Sequence, residues 1–398
     1  MEIQTQLEIL KRGAIDIISE EELLQKLKLQ RPLNVKLGVD PTSPDIHLGF
    51  TVVMRKLKQF QELGHQVILI VGDYTATVGD PSGKNKTRPM LSHEQVIENA
   101  ETYQQQFFKI VDKTKTKVVY NGEWFKPLSF DKVTNLLSQI TVAQMLERED
   151  FQNRYRSGQS ISLHEFLYPM MQGYDSVMIE ADVELGGTDQ KFNILRGREL
   201  QKNAGQAPQI GLMLPILIGT DGKEKMSKSL GNTIGINESA QSMYHKIYNL
   251  PDDLITDYLT LLTNIPLEEI KEKASQVTSG QLNPNHLKQE LATDIVSQYH
   301  GKDKANEASQ AERKIHIGAV IPDDIPECTI AKGEHWVPSL LASAGLVQSN
   351  SEGRRLILNG GVSFDEEKIL DPKANVTISQ KHILKAGKRK FVRILATP

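Results

Sequence analysis

The sequence predicts an α/β protein in which a parallel-sheet domain is followed by an α-helical domain and a small α+β domain. Three observations support this prediction. Residues 35–71 read as strand, helix and strand within about forty residues, the pattern of a βαβ unit. From about Asn237 the strand-like runs give way to helical segments separated by prolines. The last 27 residues carry seven Lys or Arg and no acid, so a basic tail of +7 follows a body of −10.

The first domain is predicted from strands and helices in alternation. Residues 35–39 alternate as in a strand, apolar residues then recur at helical spacing from Val53 to Gly64, and Gln66 to Val71 reads as a second strand. Ligands of parallel sheets bind beyond the carboxyl ends of the strands. The loops that follow these two strands are therefore candidate site loops.

Further elements follow along the chain. Ser92 with Gln95 forms a capping-box pattern, which predicts a helix running towards Lys109. Lys117 to Tyr120 and Ser176 to Ile179 read as two more strands.

The third domain is predicted from two short helices and closing strands. One helix includes Val337, and a second is capped by Ser349 with Glu352 and ends before Gly360. Prolines and a glycine upstream of it predict a linker. The predicted boundaries are 1–235 for the parallel-sheet domain, 236–320 for the helical domain, 321–335 for the linker and 336–398 for the third domain.

Composition is that of a globular chain. Of 398 residues 39% are hydrophobic and 24% charged, and the net charge is −3. The single cysteine, Cys328, excludes an internal disulfide framework or a multi-cysteine metal site and fits a reducing compartment. Met1 to Arg12 lacks the apolar stretch of a signal peptide, so we expect a cytoplasmic protein that does not span a membrane. The basic tail indicates either a polyanionic partner or a solvated basic face.

A polar loop, Asp40 to Phe50, leads from the first predicted strand into its helix. The N-terminus of a helix offers unpaired N–H groups that suit phosphate, and Gly49 permits close approach. Thr42 and His47 add side-chain donors. The alternative is that His47 is an ordinary surface histidine.

A second polar loop, Gly79 to Lys84, follows the second strand. Its spacing is not that of a P-loop, because three residues separate the glycines and Asn85 follows the lysine. We expect Asp80 to face a ligand amine or hydroxyl, while Lys84 and Arg88 supply positive charge. The alternative is a plain surface turn.

Tyr168, Gln172 and Asp175 are spaced i, i+4 and i+7, which places them on one stripe of a predicted helix. Flanking apolar residues indicate that this helix is largely buried, so the stripe is expected to line a polar pocket rather than to face solvent. A glycine-rich loop, Gly186 to Gln190, follows. Its Asp189 and Gln190 either bind a small polar ligand or cap a helix.

Lys225 to Ser229 forms a basic loop with glycines on both sides. Such a loop is free to move and can bring two ammonium groups onto a polyphosphate. The alternative is a solvated basic loop.

With these motifs in this order, the chain resembles the class I aminoacyl-tRNA synthetases, and among them the bacterial tyrosyl-tRNA synthetases. His47-Leu48-Gly49-Phe50 is similar to the family signature His-Ile-Gly-His, and Lys225 to Ser229 matches Lys-Met-Ser-Lys-Ser in full. The resemblance implies a Rossmann-like catalytic domain, a helical anticodon-binding domain and, from about Trp336, an S4-like RNA-binding domain. Segments similar to the tyrosine-specific stretches of the family are 40–42, 79–84, 168–175 and 186–190.

The resemblance also implies residue roles. For tyrosine, it implies Asp80, Tyr168 and Gln172 at the α-amino group, Asp175 at the phenol hydroxyl and Gln190 near the carboxylate. For ATP, it implies Asp40, His47, Gly49, Gly187, Asp189, Lys225, Met226 and Lys228. For catalysis, it implies Thr42, His47, Lys84, Arg88, Lys225 and Lys228. For RNA, the basic residues are Arg354, Arg355, Lys385, Lys388, Arg389 and Lys390.

The reaction implied by the resemblance is activation of L-tyrosine with ATP and Mg²⁺, with no metal site made by the protein alone. Tyrosyl-adenylate and pyrophosphate form, and tyrosine then passes to the 3′-terminal adenosine of tRNA(Tyr). The resemblance further implies a homodimer, with Thr141 to Leu163 as a candidate contact region.

Two departures from the family pattern affect these expectations. Phe50 stands where the first signature usually ends in His, and Lys36-Leu37 precedes Gly38 where many relatives place a tyrosine that assists Asp175. Two alternatives stay open. One is a synthetase for another aromatic amino acid such as tryptophan. The other is an RNA-binding or regulatory protein without activity, which the intact Lys225 to Ser229 loop disfavours.

Overall fold

The computed structural model describes residues 1–41, 45–81, 93–316, 325–365, 367–387 and 390–397. The chain forms two compact units, residues 1–238 with 246–291 and residues 239–245 with 292–398. Several sequence expectations lie outside the described residues, namely those on Ser92, Thr42, Lys84, Arg88, Lys388 and Arg389.

The first unit is built on a six-stranded sheet in the order β1-β6-β5-β2-β3-β4. Strand β1 is antiparallel to β6, and the other neighbours are parallel. From β2 the chain first builds outward through β3 and β4 and then returns to the other side of β2, so the strand order reverses between β2 and β5. The strands are β1 (Asp16–Ile18), β2 (Asn34–Val39), β3 (Gln66–Val71), β4 (Thr116–Tyr120), β5 (Val183–Gly187) and β6 (Ile210–Leu214).

Helices cover this sheet and extend to the end of the first unit. Helices α12 and α15 contribute residues to both compact units. The helices are α1 (Ile3–Lys11), α2 (Glu20–Lys28), α3 (Leu48–Glu62), α4 (Thr75–Val78), α5 (His93–Phe107), α6 (Gly122–Phe125), α7 (Phe130–Leu137), α8 (Val142–Met145), α9 (Glu149–Arg156), α10 (Leu167–Met178), α11 (Lys191–Asn203), α12 (Ala240–Tyr248), α13 (Ile255–Leu262), α14 (Leu267–Thr278) and α15 (Pro284–His300).

The predicted βαβ unit is confirmed as β2, α3 and β3. Strand β3 is apolar from Val67 to Val71 and buried throughout that stretch, as expected of a central parallel strand covered on both faces. The His47 side chain caps α3, and the helix buries one apolar stripe that includes Leu57 and Phe60. After α3 the chain reverses at Gly64, whose φ of 89° favours glycine.

The predicted strand at Ser176 to Ile179 is wrong, because these residues continue α10 to Met178 and Ile179 donates its N–H to the carbonyl of Asp175. Four apolar or small residues are too few to distinguish a strand from the end of a buried helix. The strand of this region is β5, which starts four residues later. The predicted strand at Lys117 to Tyr120 is confirmed as β4.

The second unit contains helix α16 (Lys302–His316) and a small α+β domain. In that domain α17 and α18 pack with the sheets around a core that includes Leu341, Ile357 and Leu384. Ser349 accepts a hydrogen bond from the N–H of Glu352, so the predicted cap of α18 is confirmed. The elements are α17 (Val337–Ser343), α18 (Asn350–Leu358), β7 (Glu327–Ala331), β8 (Gly333–Trp336), β9 (Val362–Phe364), β10 (Glu367–Ile369), β11 (Asn375–Ile378), β12 (His382–Ala386) and β13 (Lys390–Thr397).

The predicted linker of residues 321–335 needs correction where it is described. Strand β7 is the edge of a five-stranded sheet in the order β10-β9-β12-β13-β7, and β8 pairs with β11. Strand β7 alternates in exposure, and both strands obtain their backbone partners from strands some forty to seventy residues later, which the local proline and glycine content does not indicate. The α+β domain therefore begins before Trp336. Residues 246–291 of the predicted helical domain belong to the first compact unit. The role of the helical domain in anticodon binding stays a prediction.

Candidate active site at the carboxyl edge of the sheet

The candidate site lies where β2, β3, β4 and β5 end. Asp40 follows β2, Gly72 follows β3, Asn121 follows β4 and the turn Thr188–Gln190 follows β5. Gly72 donates its N–H to the carbonyl of Val39, and a Cβ at Gly72 would lie 2.1 Å from the Asp40 carboxylate. Glycine is thus required here for the Asp40 side chain to approach the neighbouring strand end. The parallel sheet collects these polar groups at the point where its strand order reverses.

Asp40 is held by two hydroxyl groups. Tyr168 of α10 donates to Asp40 Oδ2 at 2.9 Å, and Thr75 of α4 donates to Oδ1 at 2.8 Å. Burial, and then the charge of Asp40, hold the pKa of the Tyr168 phenol well above its usual value. Tyr168 therefore remains a neutral phenol at physiological pH, with its hydroxyl oxygen available as an acceptor.

Asp175 is a buried carboxyl with two donors. The indole Nε1 of Trp124 donates to its Oδ1 at 2.9 Å, and the amide of Asn121 donates to its Oδ2 at 3.4 Å. Burial raises the pKa of Asp175 to about 7, against the lowering effects of the Lys36 charge and of these two hydrogen bonds. A carboxyl that ionises near neutral pH and already has two donors is suited to accept a further hydrogen bond from a ligand hydroxyl.

A buried ion pair lies beneath α10. Lys36 of β2 is opposite Glu184 of β5 in the sheet register, their charged atoms are 3.1 Å apart, and both side chains are 1% exposed. Lys36 also donates to the Ser176 hydroxyl and to the carbonyl of Gln172. Glu184 in turn accepts from Gln172 Nε2 at 3.0 Å. The pair therefore anchors the polar stripe of α10 to the sheet.

Asp80 lies beside the start of α11. Its Oδ2 accepts from Gln190 Nε2 at 2.9 Å, and a guanidinium nitrogen of Arg148 is 3.5 Å from its Oδ1. Asn193 donates to Gln172 Oε1 at 2.8 Å and to Gln190 Oε1 at 3.2 Å. These contacts join the two predicted glutamines and Asp80 into one cluster of polar groups.

The start of α3 carries two more of the predicted site residues, His47 and Gly49. His47 Nδ1 accepts from the N–H of Gly49 at 3.2 Å, so the proton of the neutral ring is on Nε2. Burial and then the charge of Lys228 lower the pKa of His47 to about 4, so the ring is neutral at pH 7. The N–H of Gly49 is also 3.3 Å from the sulfur of Met226, and the Phe50 ring packs against His47.

The predicted basic loop lies next to this helix start. Lys228 Nζ is 3.3 Å from Asp45 Oδ2, while Lys225 is exposed. The buried Asn232 holds the loop, because its Oδ1 accepts from the N–H of Ser227 and its Nδ2 donates to the carbonyl of Lys225. The loop is thus fixed at its base and carries its two lysines towards solvent.

The structure brings most of the predicted tyrosine residues together. Asp80, Gln172 and Gln190 are joined by hydrogen bonds through Asn193, and Tyr168 and Asp175 lie on the same helix as Gln172. Gly187 and Asp189 stand at the end of β5, where a Cβ at Gly187 would lie 2.6 Å from the Asp189 carboxylate.

The sequence analysis missed four polar residues of this cluster. They are Asn121, Trp124, Arg148 and Asn193, and the pairing of Lys36 with Glu184 was missed as well. A usable signal was present for some of them: Asn121 directly follows a predicted strand, and a charged residue inside an apolar strand requires a buried partner. Trp124, Arg148 and Asn193 carry no such signal.

The predicted RNA-binding residues lie on the α+β domain of the second unit. Arg354 and Arg355 are exposed on α18, and the guanidinium of Arg354 stacks on Trp336 at 4.8 Å. Lys385 on β12 lies over the ring of Phe391, and Lys390 begins β13. A role of these residues in RNA binding stays a prediction.

Other features of the described residues are easily placed. A cavity of about 390 Å³ is bounded by residues 13–15, 215–218 and part of α13, and no residue of the candidate site lines it. Within the described ranges, no group of three His, Cys, Asp or Glu side chains is arranged to hold a metal ion. A membrane-crossing helix, long and apolar enough to span the bilayer, is also absent from them.

Known families and proteins match nearly the whole chain. The profile of "tRNA synthetases class I (W and Y)" matches residues 27–316, and that of "Tyrosine--tRNA ligase SYY-like C-terminal domain" matches residues 310–394. The tyrosine–tRNA ligase of Carboxydothermus hydrogenoformans is 54% identical over 99% of this chain and 98% of its own. That of Thermotoga maritima is 50% identical over 98% of this chain and 97% of its own.

Solved structures agree with these matches. A C-terminally truncated mitochondrial tyrosyl-tRNA synthetase of Aspergillus nidulans superposes with a TM-score of 0.65 at 25% identity, covering 78% of this chain and 94% of its own. The tyrosyl-tRNA synthetase of Archaeoglobus fulgidus, complexed with L-tyrosine, has the same fold with a TM-score of 0.62 at 24% identity, over 77% of this chain and 100% of its own.

Proposed function

This chain belongs to the tyrosine–tRNA ligase family of class I tRNA synthetases, and we propose that the buried side chains around Asp175 are its tyrosine site. Its reaction joins L-tyrosine to tRNA(Tyr) at the expense of ATP, with tyrosyl-adenylate as the intermediate. The observation that carries the site proposal is the Asp175 carboxyl, buried at the carboxyl edge of the sheet with a pKa of about 7 and donors from Trp124 and Asn121.

Asp175 accepts the hydrogen bond of the substrate phenol in this proposal. Removing Asp175 from water is costly, and a ligand hydroxyl compensates that cost where phenylalanine would leave the carboxylate without this partner. Tyrosine is therefore favoured over phenylalanine by a polar group that the site must satisfy. Tryptophan, the other amino acid named by the family profile, carries its N–H on a larger ring, so it is expected to fit poorly at a carboxyl already framed by Trp124.

The other end of the amino acid is assigned to the cluster at the start of α11. Asp80, the hydroxyl oxygen of Tyr168 and Gln172 Oε1 are acceptors and suit an α-ammonium group. Gln190 supplies an amide donor near the α-carboxylate. The side chains of this cluster are already oriented by hydrogen bonds, so little freedom is lost on binding.

ATP is assigned to the start of α3 and the basic loop. The neutral His47 presents Nε2–H as a donor, and the helix N-terminus at Gly49 favours phosphate. Lys225 and Lys228 bind the pyrophosphate as it leaves, with Met226 packed on Gly49 between them. The exposed Asp189 at the end of β5 is assigned to the ribose, with Gly187 allowing close approach. Asp40, together with Thr42, Lys84 and Arg88 outside the described residues, completes the proposed set.

The chemistry proposed for this site needs no covalent protein nucleophile. The tyrosine carboxylate attacks the α-phosphorus of ATP and expels pyrophosphate, so positioning and charge stabilisation supply the rate. We propose that Mg²⁺ enters with ATP and supplies charge neutralisation on the phosphates. Phosphate oxygens are the ligands that Mg²⁺ prefers.

The tRNA is assigned to the helical region and the basic α+β domain. Arg354, Arg355, Lys385 and Lys390 are the described cations proposed to contact RNA phosphates, with Lys388 and Arg389 between the last two in sequence. In the second step the tyrosyl group passes from the adenylate to the 3′-terminal adenosine. A cytoplasmic location is proposed because translation takes place there.

A homodimer is proposed through residues 141–163 and their surroundings. Large apolar side chains are exposed here: Leu163 is 83% exposed, Tyr155 66%, Val142 62% and the nearby Phe130 85%. Exposed apolar residues grouped in one part of a chain are typical of an interface.

Amino-acid-dependent ATP–pyrophosphate exchange tests the site proposal. We expect exchange with tyrosine, and neither phenylalanine nor tryptophan should support it at comparable concentrations. Asp175→Asn should lower kcat/KM for tyrosine by about 10- to 100-fold, the value of a hydrogen bond to a charged group, with a smaller change in KM for ATP. The matched control is Asp182→Asn, a buried aspartate at the opposite end of β5 that pairs with Lys26 and Arg31. An unchanged preference for tyrosine over phenylalanine in Asp175→Asn would show that the phenol is recognised elsewhere.

A further inference from the structure

Asn193 is a fully buried side chain whose polar atoms are all engaged inside the site cluster. It lies in the first turn of α11 and has no exposed surface. Its Nδ2 donates to Gln172 Oε1 at 2.8 Å and to Gln190 Oε1 at 3.2 Å, and its Oδ1 accepts from a guanidinium nitrogen of Arg148 at 3.1 Å. A buried amide with every group satisfied at a junction of four residues is held in one orientation.

Arg148 determines that orientation. A guanidinium can donate and never accept, so the Asn193 oxygen must face Arg148 and its NH₂ group must face the two glutamines. Arg148 is itself 5% exposed and is fixed by Asp150 at 2.7 Å, while rings of Phe151 and Phe192 lie against it. A free amide can exchange the positions of its oxygen and its NH₂ group by rotation. The Asn193 amide cannot do so without losing its hydrogen bond to Arg148.

The opposite end of the hydrogen-bond chain is fixed by charge as well. Gln172 donates Nε2 to Glu184, whose carboxylate pairs with the Lys36 ammonium at 3.1 Å and is the acceptor of this hydrogen bond. The chain of donors thus runs in one direction, from Arg148 through Asn193 and Gln172 to Glu184. Gln190 follows the same rule, since its Nε2 donates to the Asp80 carboxylate.

The direction of this chain decides which atom of Gln172 is offered to a ligand. With Nε2 engaged by Glu184, the Oε1 atom is the one directed towards Asn193 and the Asp80 cluster, and its second lone pair can accept from an ammonium group. The reversed amide would turn an NH₂ donor towards the positive charge. A guanidinium nitrogen of Arg148 also lies 3.5 Å from the carboxylate of Asp80, which is the second acceptor expected for the ligand ammonium group.

We propose that Asn193, anchored by Arg148, is a positioning residue that fixes the acceptors for the α-ammonium group of the amino acid. Asn193 does not touch the substrate in this role. It acts by holding Gln172 Oε1 and the adjoining Gln190 and Asp80 in the arrangement that accepts positive charge. The inference rests on the proposed tyrosine site and adds to it the groups that set its polarity.

A matched pair of ligands isolates this effect. Tyramine and 4-propylphenol have the same phenol ring and side-chain length, and they differ by an ammonium group in place of a methyl group. The ratio of their inhibition constants in tyrosine-dependent ATP–pyrophosphate exchange measures recognition of the ammonium group alone. Loss of fold or of the phenol pocket changes both constants and leaves their ratio unchanged, so the ratio separates positioning from a structural role.

The variants are Asn193→Ala, which removes the amide, and Asn193→Asp, which keeps its shape and its contact with Arg148 but loses both donors. We expect each to lower the preference for tyramine over 4-propylphenol by about tenfold, the weight of one hydrogen bond to a charged group. We also expect KM for tyrosine to rise while KM for ATP changes by less than about threefold. A ratio that stays at the wild-type value in both variants would overturn the inference.

The variant Gln172→Ala distinguishes a failure of this inference from a failure of the proposed tyrosine site. If Gln172→Ala lowers the ligand ratio and the Asn193 variants do not, the ammonium site stands and the role of Asn193 is refuted. If Gln172→Ala leaves the ratio unchanged, the assignment of the ammonium group to Gln172 is wrong, and the inference falls with it. If all three variants lower the ratio, both are supported.

Discussion

Replacing Trp124 with phenylalanine should move the ionisation of Asp175 by a predictable amount. The change deletes the indole N–H that lies 2.9 Å from Asp175 Oδ1 and keeps an aromatic ring in its place. A hydrogen bond to a charged acceptor contributes about 1.5–3 kcal/mol, and one pKa unit corresponds to about 1.36 kcal/mol. Because Trp124 stabilises the ionised form, its loss should raise the pKa of Asp175 by about 1 to 2 units above its starting value of about 7.

The direction of the activity change follows from the same reasoning. The ionised carboxylate is the stronger acceptor for a phenol hydroxyl, so kcat/KM for tyrosine should rise with pH through the pKa of Asp175 in the free enzyme. At pH 7 the ionised fraction should fall from about one half to between about 1% and 10%, which lowers kcat/KM by about five- to fiftyfold. At pH 9 the variant should recover to within about twofold of the wild type.

The assay is ATP–pyrophosphate exchange with limiting tyrosine, measured from pH 5.5 to pH 9 or so. The chain contains two tryptophans, and Trp336→Phe is the matched control, because Trp336 lies in the α+β domain and donates to the carbonyl of Pro372. An inflection that stays within about 0.3 units of the wild type would refute the role of the indole. A loss at pH 7 that persists at pH 9 would assign the effect to packing instead of ionisation.

Three further outcomes are expected. Lys36→Met should lower the free energy of unfolding, measured by urea titration, by about 3–5 kcal/mol, because Glu184 is left buried without its cation. The double variant Lys36→Met with Glu184→Met should recover much of this loss, and a loss below about 1 kcal/mol in Lys36→Met alone would contradict the reasoning. Leu163→Asp should reduce the sedimentation mass from dimer to monomer, whereas Leu29→Asp, at 59% exposure and outside the proposed contact region, should not; equal masses for the two variants would refute the contact. Removal of residues 325–398 should leave tyrosine-dependent exchange intact and weaken tRNA charging with a smaller salt dependence, and unchanged charging would remove the RNA role of that domain.

The sheet could be predicted from local patterns because its central strands are continuous apolar runs. Gln66 to Val71 is such a run, and the structure places a strand on those same residues. The strand β1 at Asp16–Ile18 carries no comparable pattern, since it is three residues long and pairs with β6 some two hundred residues later. Strands β7 and β8 lie in a stretch that reads as a linker, and they too pair with strands far along the chain. Pairing over long sequence distances is not encoded in local periodicity.

The candidate site likewise contains some residues that the sequence predicts and others that it does not. Asp80, Gln172 and Asp175 were predicted because motifs place them at strand ends or on one helical stripe. Arg148 and Asn193 could not be predicted, because their importance depends on which atoms they meet. Arg148 precedes α9 and Asn193 lies in α11, and nothing in the sequence indicates that their side chains bond at 3.1 Å. Side-chain pairing of this kind follows from the three-dimensional arrangement alone.

The lysine at position 36 now has a physical explanation. Many relatives are expected to place a tyrosine there that assists Asp175 at the phenol. Here the Lys36 ammonium is directed at Glu184, Ser176 and the carbonyl of Gln172. It therefore does not replace that tyrosine as a contact for the ligand phenol. Its charge is nevertheless the largest influence that lowers the pKa of Asp175, and Glu184 acts in the opposite direction. Direct assistance comes instead from the Trp124 indole and the Asn121 amide.

This arrangement links substrate selection to the stability of the sheet. A second phenol partner could be deleted at little structural cost, whereas Lys36 cannot be removed without leaving Glu184 as an unpaired charge between β2 and β5. The same Glu184 fixes the amide of Gln172, so one buried pair influences both ends of the proposed tyrosine site: the phenol end through the charge felt by Asp175, and the ammonium end through hydrogen bonding. Changes at Lys36 should therefore alter tyrosine affinity and unfolding free energy together, while changes at Trp124 should alter the pH dependence of tyrosine use with a smaller effect on folding.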